Sequence, residues 1–457
     1  MGNTTSSGSG NRLNTPIGKH SGRVRILGSK DHILRRNQLS ENALKVVHRL
    51  AEAGHDAYLV GGCVRDGLLG LDPKDFDVAT SATPDEVRGL FRNARIIGRR
   101  FRIVHVCFGR EIIEVTTFRG QHSGDEGDHR SQQSEEGMLL RDNVWGSVDQ
   151  DALRRDFTVN ALYYNPIDGT IHDWAGGIED MEARCLRLIG NPEVRYREDP
   201  VRMLRAVRFA AKLNFELEEE TEEPIHLLAP MLLQVPPARL FEEVLKLFLS
   251  GKALATYLIL REQGLFAMLF PATFDALSVL PWAEKMIRQA LKNTDARLAA
   301  GKPVTPAFLY ASLLWPAVVM ESMAMQSEGM PEIPATQQAA HTTISRQLQH
   351  TSIPKRFSLP MRDIWDMQQR LPRRRGKRAD LLMENPRFRA SYDFLLLRES
   401  AGELEPGLGD WWTQYQALDE PGRREMIAAL PSATAKAPGT RSPRRRRRSP
   451  RKEQKSS

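Results

Sequence analysis

Two aspartates one residue apart, Asp75 and Asp77 in the run KDFDVAT, follow shortly after the glycine pair of YLVGGCVRD, and no other stretch restricts the fold as much. On a strand, residues two apart share a face, so Phe76 enters a core while both carboxylates reach one volume of solvent. Upstream, Tyr58, Leu59 and Val60 read as a short buried strand, Gly61 and Gly62 as a turn, and Val64 to Leu69 as a helix. A strand, a glycine turn and a helix start present backbone N–H groups where no Cβ blocks a phosphate. Arg65, in the first turn of that helix, offers a guanidinium fork for phosphate oxygens. Paired carboxylates suit Mg²⁺, a hard cation that keeps sites for water and substrate phosphates. A phosphate cradle and a cation site within seventeen residues point to nucleotidyl transfer.

With these residues the chain resembles the nucleotidyltransferases that include tRNA CCA-adding enzymes and bacterial poly(A) polymerases, whose shared signature is GGxVRD followed by DxD. Arg154 to Tyr164 (RRDFTVNALYY) is similar to the family's RRDFTxNA motif. Arg197 to Ala210 (REDPVRMLRAVRFA) is similar to its EDxxRxxRxxRF nucleotide-recognition helix. The likeness is close over residues 45 to 275 and looser beyond. Ile96 to Gly109 (IIGRRFRIVHVCFG) resembles the poly(A) polymerase branch rather than the CCA-adding one.

The resemblance implies an α+β nucleotidyltransferase head with a polymerase-beta-like mixed sheet, an all-helical neck and body, and a disordered basic tail. It implies template-independent addition of AMP from ATP to RNA 3′ ends, with two Mg²⁺ ions held by Asp75 and Asp77. It carries nucleotide binding onto Gly61, Gly62, Arg65, Arg154, Arg155, Asn160, Asp199, Arg202 and Arg205, and an essential acid onto Asp156. RNA and ATP are the implied partners; the reading admits proteins of RNA decay and expects no DNA. CCA addition to tRNA is the enzymatic rival, and an RNA-binding protein on an inactive transferase fold is the non-enzymatic one.

The residues read independently leave two roles open. Ile112 to Phe118 (IIEVTTF) is rich in β-branched residues and reads as a strand, with Glu114 on the face of Ile112 and Thr116. Glu114 is thus one candidate third carboxylate; Asp156 is the other and the favoured one. Asp199 precedes Pro200, a favoured first helical residue, so it either caps that helix or contacts the base. Arg202 and Arg205 lie close to one helical face, opposite Leu204, Val207 and Ala211.

Charge separates the body from its end. Arg441 to Ser457 holds nine Lys or Arg against one acid, whereas the whole chain is +8, so the first 440 residues carry 56 charges of each sign. The run Arg444, Arg445, Arg446, Arg447 and Arg448, between Ser-Pro steps, is expected to stay disordered and to bind RNA as an electrostatic arm. A second cluster, with Arg373, Arg374 and Arg375 at its centre, falls in an expected loop after Pro372 and is a further candidate for RNA contact. Cys63, Cys107 and Cys185 have no metal or disulfide spacing and fit a reducing cytoplasm. No apolar stretch is expected to reach about 18 residues, which argues against a membrane span. The N-terminus matches the MGxxx[ST] pattern with Gly2 and Ser6, but its Ser/Gly/Thr composition reads as disorder. Leu240, Val244, Leu245, Leu247 and Phe248, and then Ala307, Leu309, Tyr310, Leu313 and Leu314, read as core faces of helices, and Met320 to Thr336 as a loop or weak helix. The expected divisions are a flexible segment to residue 38, a head over 39–180, a neck over 181–280, a body over 281–400 and a C-terminal region over 401–457.

Overall fold

The structure, a computed structural model, describes residues 24–98, 102–120, 131–133, 139–142 and 144–430. The N-terminal pattern with Gly2 and Ser6 lies outside the described residues. So do the tail arginines expected to bind RNA, namely Arg444, Arg445, Arg446, Arg447 and Arg448. Among the described residues ten strands make the head: β1 (Arg25–Leu27), β2 (Ala57–Val60), β3 (Asp77–Thr80), β4 (Ala94–Ile97), β5 (Ile103–Phe108), β6 (Glu111–Thr117), β7 (Ser131–Gln133), β8 (Leu139–Asp142), β9 (Leu162–Asn165) and β10 (Thr170–Asp173). Eight of them form one sheet in the order β1-β10-β9-β2-β3-β6-β5-β4, while β7 and β8 pair with each other. β3 and β6 run parallel, and β3 also pairs antiparallel with β2, so the sheet is mixed as expected.

One face of the sheet is covered by α1 (Glu41–Glu52). Its start is fixed by Ser40, whose hydroxyl accepts from the Asn42 and Ala43 backbone N–H groups. Ala43, Leu44, Val46, Val47 and Leu50 then bury one stripe against Leu59, Val78, Ile113 and Val115. Three short head helices follow: α2 (Gly62–Leu68), α3 (Pro84–Leu90) and α4 (Val148–Arg154). After α5 (Gly177–Glu182) the chain turns helical, with α6 (Pro192–Glu198) and α7 (Val201–Leu213) forming the neck. Asn191 caps α6 by accepting from Val194 N, and Pro192 opens it.

Two compact units divide between Met361 and Arg362, inside the helix Lys355–Gln368. In the first, the stretch 320–336 is mostly helical, which decides between the loop and the weak helix expected there in favour of helix. The helix Pro306–Ser327 runs on through Met320, and the next spans Glu332–Gln347, leaving a four-residue break with Gly329 at φ 96°. Ala and Met are good helix formers, and the glycine supplies the left-handed step that ends the run. Pro306–Ser327 is also apolar on all sides, and an 18-residue window of it is long and apolar enough to cross a membrane, contrary to the expectation that no such stretch exists. That window is 61% buried, and its neighbours are the helices Pro271–Val279, Ala283–Ala299 and Glu332–Gln347. A helix apolar all round is the kind that sits inside a helical layer. The second unit packs Met367, Leu371, Leu382, Phe388, Tyr392, Leu395, Trp412 and Tyr415 into a core of its own.

Candidate active site

The glycine turn is built as its sequence requires. β2 ends at Val60, Gly61 takes φ 78° and ψ −129°, and α2 begins at Gly62. A positive φ of this kind favours glycine. A Cβ on Gly61 would lie 3.8 Å from Asp77 Oδ2 and 3.7 Å from Arg155 Nη1, so the turn faces both groups.

Strand register sets the carboxylates. β3 starts at Asp77, and Asp75 sits exposed in the segment just before it, with Phe76 between them buried in the head core. Across the parallel pair Asp77 is in register with Glu114, and β5 then places His105 beside Glu114 at 3.2 Å. Burial, followed by the charge of Glu114, pushes the Asp77 carboxyl up to about 6; Arg155 opposes this and Asp75 adds to it. Among the described residues no three His, Cys, Asp or Glu side chains close into a metal cage. The set is one of mutually repelling hard oxygen donors, a chemistry that fits a cation retaining water and phosphate ligands.

Glu114, then, and not Asp156, is the acid beside Asp77. The Asp156 carboxylate is turned to the neck and its own segment: Oδ2 accepts from Arg205 Nε at 2.8 Å, and Oδ1 accepts from Phe157 N at 2.8 Å and Asn160 Nδ2 at 3.1 Å. Burial would raise its pKa, but Arg205 and these hydrogen bonds outweigh burial and hold the carboxyl well below the usual range. Arg205 and Asp156 thus bind the RRDF segment to α7.

Other expected groups are likewise held by protein. Arg65 is only 2% exposed; its Nε donates to Asp66 Oδ1 at 2.8 Å and its Nη1 to Asn160 Oδ1. It therefore braces the turn against Asn160 instead of facing solvent. Arg155 donates to Tyr163 Oη at 2.7 Å and to Asp151 Oδ2 at 3.2 Å, and its charge is favoured by these groups and by Asp77 against the cost of burial. Arg154 donates to the Gly120 carbonyl. Asp199 accepts the Val201 N–H at 3.3 Å, as a cap would, and also takes a two-pronged pair from Arg239 at 2.8 and 2.7 Å. Arg202 donates to Glu198 Oε2 at 2.8 Å and to the Arg195 carbonyl at 2.7 Å. Arg373 and Arg375 are exposed in the second unit, whereas Arg374 is half-buried.

Four residues not singled out from sequence complete the arrangement. Arg195 donates to the carbonyls of Arg154 and Arg155 at 2.6 and 2.7 Å, tying α6 to the RRDF segment. Lys212 reaches Asp66 at 3.1 Å from the end of α7. Phe209 lies under the guanidinium groups of Arg65, Arg205 and Arg208, at 5.1, 5.3 and 4.5 Å. Arg239 reaches α7 from the helix Pro237–Phe248, forty positions from Asp199. Burial, then the nearby Arg202 or Arg205, pushes both Arg195 and Arg208 down to about 10. Arg195 and Arg202 share the one carboxylate of Glu198, so the neck holds more positive charge than its own acids neutralise.

A mixed sheet with this carboxylate row, joined to an arginine-bearing helical neck, defines a nucleotidyltransferase of the class that includes the CCA-adding enzymes. The solved Bacillus stearothermophilus CCA-adding enzyme in complex with CTP is similar over 85% of this chain and 82% of that one, with a TM-score of 0.56 and 27% identity. Residues 57–187 match the description "Poly A polymerase head domain", 214–277 "Probable RNA and SrmB- binding site of polymerase A", and 328–453 "Polymerase A arginine-rich C-terminus". The last of these ranges takes in Arg445, Arg446 and Arg447 with the rest of the arginine run. Poly(A) polymerase I of Salmonella typhimurium is 51% identical over 94% of this chain and 93% of its own length. The CCA-adding enzyme of Geobacillus thermodenitrificans is 40% identical over only 49% and 53%. The chain belongs to the poly(A) polymerase I family.

Proposed function

We infer that the chain transfers AMP from ATP to RNA 3′ ends without a template. The observation that carries this reading is the row Asp77–Glu114, with Asp75 beside it, in a chain of the poly(A) polymerase I family. Asp75, Asp77 and Glu114 are the residues that would hold Mg²⁺, which when bound neutralises triphosphate charge and lowers the pKa of the attacking hydroxyl. Everything else is done by the protein's own groups. The Gly61–Gly62 turn leaves room for phosphate, and the neck, where Arg195 and Arg202 share the one carboxylate of Glu198, attracts it through its excess of guanidinium groups. An adenine edge offers an amine donor and a ring-nitrogen acceptor, which suit the Asp199 carboxylate and the Arg202 guanidinium. Both are fixed before ATP arrives, by Arg239 and by Glu198, so little reorganisation accompanies binding. Arg205 acts through Asp156, locking the neck to the head.

The exposed arginines Arg373 and Arg375, together with the tail run from Arg444 to Arg448, are the groups we assign to the RNA backbone. Protein partners from RNA decay are compatible with this activity. The three cysteines are free, which supports a reducing compartment such as the cytoplasm.

The test is incubation of the purified protein with an unstructured RNA and each nucleoside triphosphate separately, with and without Mg²⁺. AMP addition alone, lost on chelation, is expected. CTP incorporation onto tRNA lacking its 3′ end at a comparable rate would move the assignment to CCA addition. Incorporation that survives chelation would remove the carboxylate row from the mechanism.

A further inference from the structure

In the second unit a charged group lies on an aromatic bed with, among the described residues, no acid against it. Trp411 and Tyr415, one turn apart on the helix Leu408–Ala417, stack with ring centroids 4.7 Å apart and planes 15° from parallel. The Arg374 guanidinium lies over Trp411, 4.9 Å from the ring centroid. Its Nε is buried without a hydrogen-bond partner, and burial pushes its pKa down. Arg373, Arg375, Lys377 and Arg378 around it are exposed, and among the described residues none of them forms an ion pair.

Elsewhere in this unit arginines do find acids: Arg389 pairs with Asp393, Arg398 with Glu403 and Arg424 with Glu420. The acid nearest the cluster in sequence, Asp380, accepts instead from Tyr415 Oη at 2.7 Å, which fixes the ring stacked on Trp411. The unit therefore orients a flat cation and leaves it, and the loop around it, uncompensated. A charge-only surface for an acidic peptide has no need of a guanidinium ordered on two stacked rings. Unpaired bases stack on guanidinium planes, and flanking cations follow the phosphates.

We propose that the Arg374–Trp411–Tyr415 stack is a nucleotide subsite for single-stranded RNA, in which one base lies on the outer face of the Arg374 guanidinium while Arg373 and Arg375 take the adjoining phosphates. This rests on the reading of the arginine loop as an RNA contact.

The full-length chain is titrated by fluorescence anisotropy with oligo(A) and with an abasic ribose-phosphate oligomer of equal length, across a salt series. Arg374→Lys keeps the charge and loses the plane. It should weaken oligo(A) binding by about 5- to 100-fold, with the salt slope and the abasic oligomer unaffected. Trp411→Phe should stay near wild type and Trp411→Ala should match Arg374→Lys; if the alanine variant unfolds, the loop substitution still decides. Removing Arg373 and Arg375 together should lower the slope by about 1.4 on both oligomers. An Arg374→Lys loss that is equal on both oligomers, or absent, overturns the stacking subsite. An unchanged slope in the double variant would instead remove the loop from RNA binding and leave the polymerase assignment intact.

Discussion

At Asp77 three carboxylates are near one another, and Arg155 and Arg205 offset them. Its folded pKa of about 6 lies above the ordinary value of about 4, so the metal-free folded state binds this proton more tightly than the unfolded chain does. Its contribution to stability is therefore greatest below about pH 4 and is lost as pH rises through 6. Asp156 works in the opposite sense and a lower window: its stabilisation is complete above about pH 4 and disappears as pH falls through its depressed pKa. In chelator, urea unfolding of the wild type should lose on the order of 2 kcal/mol between about pH 4 and pH 8 that Asp77→Asn does not lose. The same variant should lower AMP incorporation by orders of magnitude with RNA affinity retained, and retention of a tenth of the wild-type rate would count against the assignment. Arg205→Ala leaves Asp156 charged and mostly buried, and should destabilise by about 2–4 kcal/mol. The double variant Asp156→Asn/Arg205→Gln should recover part of that stability, which a double-mutant cycle would measure. Although only Asp77 lies in the strand, the nearness of Asp75 to Asp77 is legible in the sequence because one residue separates them. The choice between Glu114 and Asp156 is not, because it depends on which strand lies parallel to β3 and which arginine the neck delivers.

The strand–turn–helix element owes its legibility to chemistry that acts within a few residues. Gly61, with its positive φ, follows a buried β2 and opens α2. Gly61→Ala should cost about 1–3 kcal/mol through backbone strain alone, since the added Cβ would meet only ordinary contacts. A thermal melt reads that loss, and AMP incorporation should fall with it. α7 is readable in outline from Asp199, Pro200 and its apolar stripe, although the helix begins one residue later, at Val201, and Asp199 is shared between capping and Arg239. What sequence does not supply is the set of ties that seat α6 and α7 on the head. Arg195, Lys212 and Phe209 resemble ordinary helix residues until the fold brings the RRDF carbonyls, Asp66 and three guanidinium groups to them. Arg195→Met keeps much of the stem and removes the donors to the Arg154 and Arg155 carbonyls. It should raise the KM for ATP several-fold while leaving the KM for RNA unchanged. Equal effects on both constants would assign Arg195 to general stability.

At the scale of the whole chain, two features differ in how openly the sequence declares them. The division between Met361 and Arg362 runs through a continuous helix, with no proline-rich or glycine-rich linker to announce it. The charge asymmetry is open to any reader: a neutral chain to residue 440, then nine basic groups and one acid. A run of like charge is expected to act on RNA electrostatically, an effect that truncation would separate from catalysis. Each phosphate it contacts releases counterions and adds about 0.7 to the slope of log K against log salt for a single strand. Nine cations, five of them Arg444 to Arg448, set a ceiling of roughly 6 on the slope lost by truncation at Thr440. Ordering any chain segment on binding costs conformational entropy, so a fall of about 2 to 3 is expected. Saturating RNA removes the affinity difference, and the rate of AMP addition there should match the full-length chain. Anisotropy across a salt series, with saturation kinetics beside it, measures both quantities. A slope that truncation leaves unchanged would assign the tail to solubility or to a protein partner, and a fall in the saturated rate would mean that the arm reaches into the reaction itself.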